Sequence, residues 1–259
     1  IRALNLISSS DLVLCEDTRI IKKLTSKYGI KCSMRSFHKY NSKKMLDVIL
    51  PKLKSHQVIS LICDAGTPAI SDPGSDLIRE CIKNHIKVIS IPGPSAVIGS
   101  LVSSGISTDQ FSFLGFVPRD QKVKKIFYER ISKSSETIIF FESPRRIIKT
   151  LNEMKNFITN RKVALVRELT KKNEELINGN ITNVLVNLER KEKILGEITV
   201  VISGHSKKSP IYITDQQILD FVKDLKIEKL GISTVSKLAA EKYEVSKRRV
   251  YQLIIANKS

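Results

Sequence analysis

The sequence predicts an α/β protein of two sheet-and-helix units followed by a small helical domain, and three observations predict it. Apolar runs of strand length alternate with stretches of helical spacing from Leu12 to Ile202. Two of those runs open into loops rich in glycine and proline, as strands of parallel sheets do at their carboxyl ends. Beyond Pro210 only helical spacing remains.

The elements follow in order. Ile1–Ser9 reads as the end of a helix and Leu12–Cys15 as a buried strand. A helix over Thr18–Tyr28 is stopped by Gly29, the residue best suited to a left-handed C-terminus. Ser42 stands where it can cap a helix over Lys43–Ser55, which Pro51 bends or shortens. Val58–Cys63 is the next strand, followed by the long loop Asp64–Gly74. A helix through Leu77–Asn84, a strand Val88–Ile91 and a helix Ser95–Ser103 continue the alternation, which favours a mostly parallel sheet. Phe111–Val117 is strand-like, and Pro118-Arg119-Asp120 marks a junction between units 1–116 and 117–204. The second unit places strands at Thr137–Phe141, Val163–Val166 and Glu197–Ile202, with helices near Lys122–Ser132, Arg146–Met154 and Ile181–Arg190. His205–Pro210 reads as a linker. The closing domain, 211–259, holds helices over Asp215–Leu225, Ser233–Tyr243 and Ser246–Asn257.

Composition narrows the function. A chain of 259 residues with 41% hydrophobic and 27% charged residues is an ordinary globular protein. No apolar run approaches the ~20 residues that a membrane helix requires, and no basic-then-apolar leader is present, so a cytoplasmic protein is expected. The first residue is Ile1, and the natural N-terminus is expected to precede it. Cys15, Cys32, Cys63 and Cys81 have no CxxC spacing and read as buried free thiols. The four histidines show no metal-binding spacing, and no metal is expected. A net charge of +18 suits a phosphate-rich partner. A lysine excess of 31 over 13 arginines also follows from AT-rich coding, and both readings stay open.

Several strand ends carry chemistry. Asp64-Ala65-Gly66-Thr67-Pro68 and Pro92-Gly93-Pro94-Ser95-Ala96 offer close backbone approach and helix-opening N–H groups. Each alone is an ordinary turn; together, on one sheet, they suggest a binding site. Glu16, Asp17, Thr18 and Arg19 end another strand and suit acid–base work or substrate hydrogen bonds, while Asp17 or Thr18 would serve equally as a helix cap. In the second unit, Phe141, Glu142, Arg145 and Arg146 lie at one strand end and Arg167–Lys171 at another. Phe141 suits base stacking or core packing. Lys247, Arg248 and Arg249 open the last helix in a pattern like a helix-turn-helix.

In sequence order, CEDTR, SFH, DAGTPAISDPG, IPGPSA, SGISTDQFSFLGFVPR, FFESPRR, RELTK and GEITVVISG closely resemble the tetrapyrrole-methylase-like family. Within it they resemble the ribosomal RNA small subunit methyltransferase I group. The resemblance implies two α/β domains with a ligand cleft between them and a helical tail. It implies a homodimer that uses S-adenosylmethionine to methylate the ribose 2′-hydroxyl of a cytidine in 16S rRNA of the small ribosomal subunit. It places Asp64, Gly66, Thr67, Ile70, Ser95, Ala96, Phe141, Leu169 and Glu197 around the cofactor. The family usually opens with a strand and a TPIGNL-like loop that are absent here, and usually has histidine where Arg145 stands. Asp17, Glu16 and Glu142 are the candidate bases, with Arg19 orienting phosphate or ribose. Arg145, Arg146, Lys247, Arg248 and Arg249 are the candidate RNA contacts. The alternatives are a same-fold methylase acting on a tetrapyrrole or protein residue, and a non-enzymatic regulator binding nucleic acid.

Overall fold

The computed structural model describes residues 1–205, 214–225, 230–243 and 245–257. The chain forms two compact units, Ile1–His205 and Ser206–Ser259.

The first unit opens with α1 (Arg2–Ser9), β1 (Leu12–Cys15), α2 (Thr18–Lys27), β2 (Met34–Ser36), α3 (Ser42–Lys54) and β3 (Ile59–Ile62). The three strands form a parallel sheet in the order β2-β1-β3. The central strand is the apolar run Leu12-Val13-Leu14-Cys15, buried throughout, as expected where both faces of a parallel strand are covered. Pro51 does not shorten α3, which continues to Lys54. Ser42 is its first residue rather than its cap.

Next come α4 (Ser75–Lys83) and α5 (Ala96–Ser104), and no strand forms at Val88–Ile91. A strand requires a neighbour to complete its ladder of hydrogen bonds. Residues 86–95 run without one, and Val88 and Ile89 stay half exposed.

The second sheet contains β4 (Phe111–Phe116), β5 (Thr137–Glu142), β6 (Lys162–Arg167), β7 (Glu175–Asn180) and β8 (Ile198–Ile202) in the order β4-β5-β8-β6-β7. Only β4 and β5 are parallel; β8 runs antiparallel to β5 and β6, and β7 antiparallel to β6. The expected mostly parallel character therefore applies to the first sheet alone. Strand period two sorts the side chains. Ile138 and Phe140 face α6 (Gln121–Lys133), α7 (Ile147–Met154) and α8 (Ile181–Glu189), whereas Ile139 packs with Val97 and Leu101 of α5. Both α5 and β4, which sequence order groups with the first sheet, pack with the second.

Of the predicted linker, everything after His205 lies outside the described residues. The second unit holds α9 (Asp215–Asp224), α10 (Ile232–Tyr243) and α11 (Lys247–Ala256) around Ile218, Val222, Val235, Ala239, Val250 and Ile254. Thr214 and Gln217 form a reciprocal capping box at the start of α9. Among the described residues no helix is long and apolar enough to cross a membrane.

Candidate active site

A cleft of about 310 Å³ opens where several strands of the first unit end. One wall is the loop after β3, including Gly66, Thr67, Ile70 and Asp72; another is the start of α5 at Ser95–Val97. Phe116 ends β4, Phe141 and Glu142 end β5, and Glu197 precedes β8.

The loop after β3 holds an unusual backbone. Gly66, Ala69, Ser71 and Gly74 all have positive φ, a region costly for the alanine and the serine. At Gly66 a Cβ would meet no protein atom within 4 Å, so this part of the loop faces open space. Thr67 Oγ1 donates to the Pro94 carbonyl at 3.0 Å, joining the two glycine–proline loops directly. Ser95 caps α5 by accepting from the Ile98 N–H.

The second sheet supplies an aromatic wall. Phe141 stands edge-on to Phe113 and Phe116, with centroids 4.8 and 5.4 Å away, a favoured aromatic geometry. At the far side, Lys171 Nζ bridges Glu168 at 2.9 Å and Glu197 at 3.0 Å. Glu168 also accepts the Glu197 N–H, which ties the residue before β8 to the turn after β6.

The charged residues lining the cleft contrast with those of the chain as a whole. Its lining contains Asp72, Glu142 and Glu197 and no lysine or arginine, although the whole chain carries +18. Burial, followed by the charge of Glu16, raises the pKa of Asp72; Glu197 and Asp64 add to the effect. Burial first and Asp72 second push the neighbouring Cys63 thiol up to about 11.

The profile of the tetrapyrrole (corrin/porphyrin) methylases matches residues 1–185. The chain belongs to this family. A Thermotoga maritima protein named ribosomal RNA small subunit methyltransferase I is 42% identical over 204 residues, covering 79% of this chain and 91% of that one. A Haemophilus influenzae protein of the same name is 36% identical over 260 residues, covering 99% and 91%. Among solved structures, the methyltransferase CobJ matches with a TM-score of 0.60 at 9% identity, over 79% of this chain and 87% of that one. A diphthine synthase matches with 0.60 at 14%, over 78% and 83%. These two likenesses establish the tetrapyrrole methylase fold, joined here to a helical C-terminal unit. The methyl donor of this methylase is S-adenosylmethionine.

Of the residues that the resemblance places around the donor, Gly66, Thr67, Ile70, Ser95, Ala96, Phe141 and Glu197 line the cleft. Asp64 and Leu169 do not. Asp64 accepts the Asp17 N–H at 3.4 Å, and Leu169 lies against α5, where a Cβ on Gly99 would collide with it. The candidate bases also separate. Asp17 caps α2 and is paired with Arg19 at 2.6 Å. Chiefly through the Arg19 side chain, its pKa is lowered to about 2, which makes it a weak base.

Glu142 lines the cleft, but its side chain is 1% exposed and fully engaged. It accepts from Thr150 Oγ1 and the Ser143 N–H, both at 2.7 Å, and pairs with Arg146 at 3.1 Å. Arg146 in turn donates to the Val117 and Pro118 carbonyls, as a brace does. Arg145 is exposed. In the helical unit Lys247 donates to Ser233, Arg249 pairs with Asp215, and Arg248 is exposed.

The residues that sequence reasoning missed include Asp72, Phe116 and Thr199. Asp72 lies within the quoted DAGTPAISDPG motif, so its signal was available. Phe116 and Thr199 look like ordinary strand residues.

Proposed function

We propose that this methylase transfers a methyl group from S-adenosylmethionine to the ribose 2′-hydroxyl of a cytidine in 16S rRNA of the small ribosomal subunit. The observation that carries the proposal is a cleft whose lining holds three carboxylates and no lysine or arginine, inside a strongly basic chain. Such a lining suits a donor bearing sulfonium and ammonium charges and offers no cation to phosphate, so an anionic polymer would be held outside while its ribose enters. The names of the relatives in Thermotoga maritima and Haemophilus influenzae point to the small-subunit rRNA.

The donor supplies an already activated methyl group on its sulfonium. The protein's part is then mostly positioning. Gly66 leaves room for the donor beside the loop, Thr67 and Pro94 hold the two loops in register, and Phe141 with Phe116 offers an apolar wall. Glu197, fixed by Lys171, and Asp72 supply negative charge. Asp72 takes the ribose proton, because a carboxylate of raised pKa is a better base than one paired with arginine. Glu142 braces the β5 end through Arg146 and Thr150. Lys247, Arg248 and Arg249 contact RNA phosphates, and Arg145 lies on the exposed side of the second sheet's loop. The resemblance further suggests a homodimer working on ribosomal subunits in the cytoplasm. Methyl transfer to purified small subunits, followed by nuclease digestion and mass spectrometry, tests the proposal.

A further inference from the structure

A cleft without lysine or arginine leaves open where the phosphates of the substrate are met. The neighbouring ends of β1 and β2 offer a place. The chain leaves these strands side by side: Ser36 Oγ donates to the Glu16 carbonyl at 3.1 Å, and the Phe37 N–H to the Cys15 carbonyl at 2.7 Å. The Asp17 N–H reaches Asp64 at 3.4 Å, tying this edge to the loop that walls the cleft.

Beyond β2 the chain makes a fixed turn into α3. Asn41 Oδ1 accepts the His38 N–H at 2.9 Å, and Asn41 Nδ2 donates to the Ser36 carbonyl at 2.9 Å. The N–H groups of Asn41 and Ser42 both return to the His38 carbonyl. Tyr40 sits on this turn with 95% of its surface exposed. Its ring stands edge-on to His38, with centroids 6.1 Å apart. An aromatic ring so exposed contributes little to the fold, yet the turn beneath it is held at four hydrogen bonds. That combination presents a flat apolar face to a partner at low entropic cost.

The surroundings select the partner. Residues 35–46 contain Arg35, Lys39, Lys43 and Lys44 and no carboxylate. Lys39, Lys43 and Lys44 are exposed. The first turn of α3 has no acidic residue and no side-chain cap, so the positive end of its dipole adds to the attraction for anions. Arg19, held by Asp17, leaves 88% of its side chain exposed at the adjoining strand end. An aromatic face among cations is how proteins hold unpaired nucleotides: bases stack while phosphates meet the charges.

We propose that the turn His38–Ser42 is a docking platform for single-stranded RNA, on which an unpaired base flanking the target stacks against Tyr40 while its phosphates meet Lys39, Lys43 and Lys44. This inference rests on the RNA-methylase reading and adds to it the surface that receives the strand outside the cleft.

The test compares wild type with Tyr40→Ala, Tyr40→Phe and the Lys39/Lys43/Lys44→Ala triple variant. The probes are purified small subunits, a short single-stranded oligoribonucleotide and the same sequence as a duplex. Donor affinity and thermal unfolding serve as controls. Tyr40→Ala should bind single strand and subunit about tenfold more weakly, or worse, with little change for the duplex. Tyr40→Phe should retain binding within about threefold of wild type, since it keeps the ring. The triple lysine variant should show a flatter salt dependence. If wild type methylates small subunits while Tyr40→Ala binds all three probes as wild type does, the platform is overturned and the methylase reading stands. Weakened binding to the subunit alone, with the oligoribonucleotide unaffected, assigns Tyr40 to a protein contact and also overturns the platform. A wild type that neither binds nor methylates RNA overturns both.

Discussion

Thr67 Oγ1 donates a 3.0 Å hydrogen bond to the carbonyl of Pro94. This bond joins two loops 27 residues apart in sequence, each of which supplies a wall of the cleft. The donor site proposed between them depends on empty space beside Gly66.

Gly66→Val should therefore abolish S-adenosylmethionine binding in calorimetric titration. No protein atom lies within 4 Å of the added Cβ, so the fold need not rearrange. The φ of +77° would cost about 1–2 kcal/mol in a non-glycine residue, leaving unfolding cooperative at a lower midpoint. A folded variant with wild-type donor affinity would remove this loop from the site.

Asp72→Asn should lower kcat by about 10²–10⁴-fold with little change in donor affinity. In wild type the rate should climb as pH rises through the raised pKa of Asp72, and the variant should lose that ascending limb. Stability should move the other way. A carboxyl whose folded pKa is raised binds more protons when folded, so its contribution is favourable below the unfolded pKa and is lost as pH rises through the folded one. Asparagine carries no such charge, and the variant should melt at or above the wild-type temperature at neutral pH. An unchanged pH profile would exclude Asp72 as the base.

Glu142→Ala should act on the fold first. It leaves the partly buried Arg146, Thr150 and the Ser143 N–H without their partner, a loss of about 3–5 kcal/mol for a broken buried pair. Wild-type melting with abolished turnover would return Glu142 to the chemistry.

Much of this was legible in the sequence, and the failures have physical causes. The buried strand Leu12–Cys15 and the helix start at Ser95 follow from local patterning, which needs no knowledge of neighbours. Val88–Ile91 has equally good strand chemistry but no adjacent ladder, so sequence overstates it. β7 was missed for the opposite reason: in its run Glu175–Asn180 only Ile177 is buried, and pairing with β6 makes it a strand. Glycine and proline mark the two loops that line the cleft. Which carboxylates are free depended on ion pairs that only the fold creates: Arg19 engages Asp17, Arg146 engages Glu142, and Asp72 is left without an arginine in the cleft lining.

Replacing Lys247, Arg248 and Arg249 with Ala should weaken RNA binding and flatten its dependence on salt, with donor affinity unchanged. Arg249 also pairs with Asp215, so the helical unit should be monitored by circular dichroism. Wild-type RNA affinity and salt slope in a folded variant would make this basic helix start a structural feature only.

The most direct test of the account locates the added methyl group. The methylase, with S-adenosylmethionine carrying a labelled methyl, is incubated with purified small ribosomal subunits and, separately, with naked 16S rRNA. The RNA is digested to nucleosides, and fragmentation in the mass spectrometer assigns the extra mass to sugar or base. The account predicts labelled 2′-O-methylcytidine, formed more efficiently on the assembled subunit than on naked RNA, because a folded subunit presents the ribose. A methyl group on the base, or turnover with a tetrapyrrole or protein acceptor and none with rRNA, would contradict it.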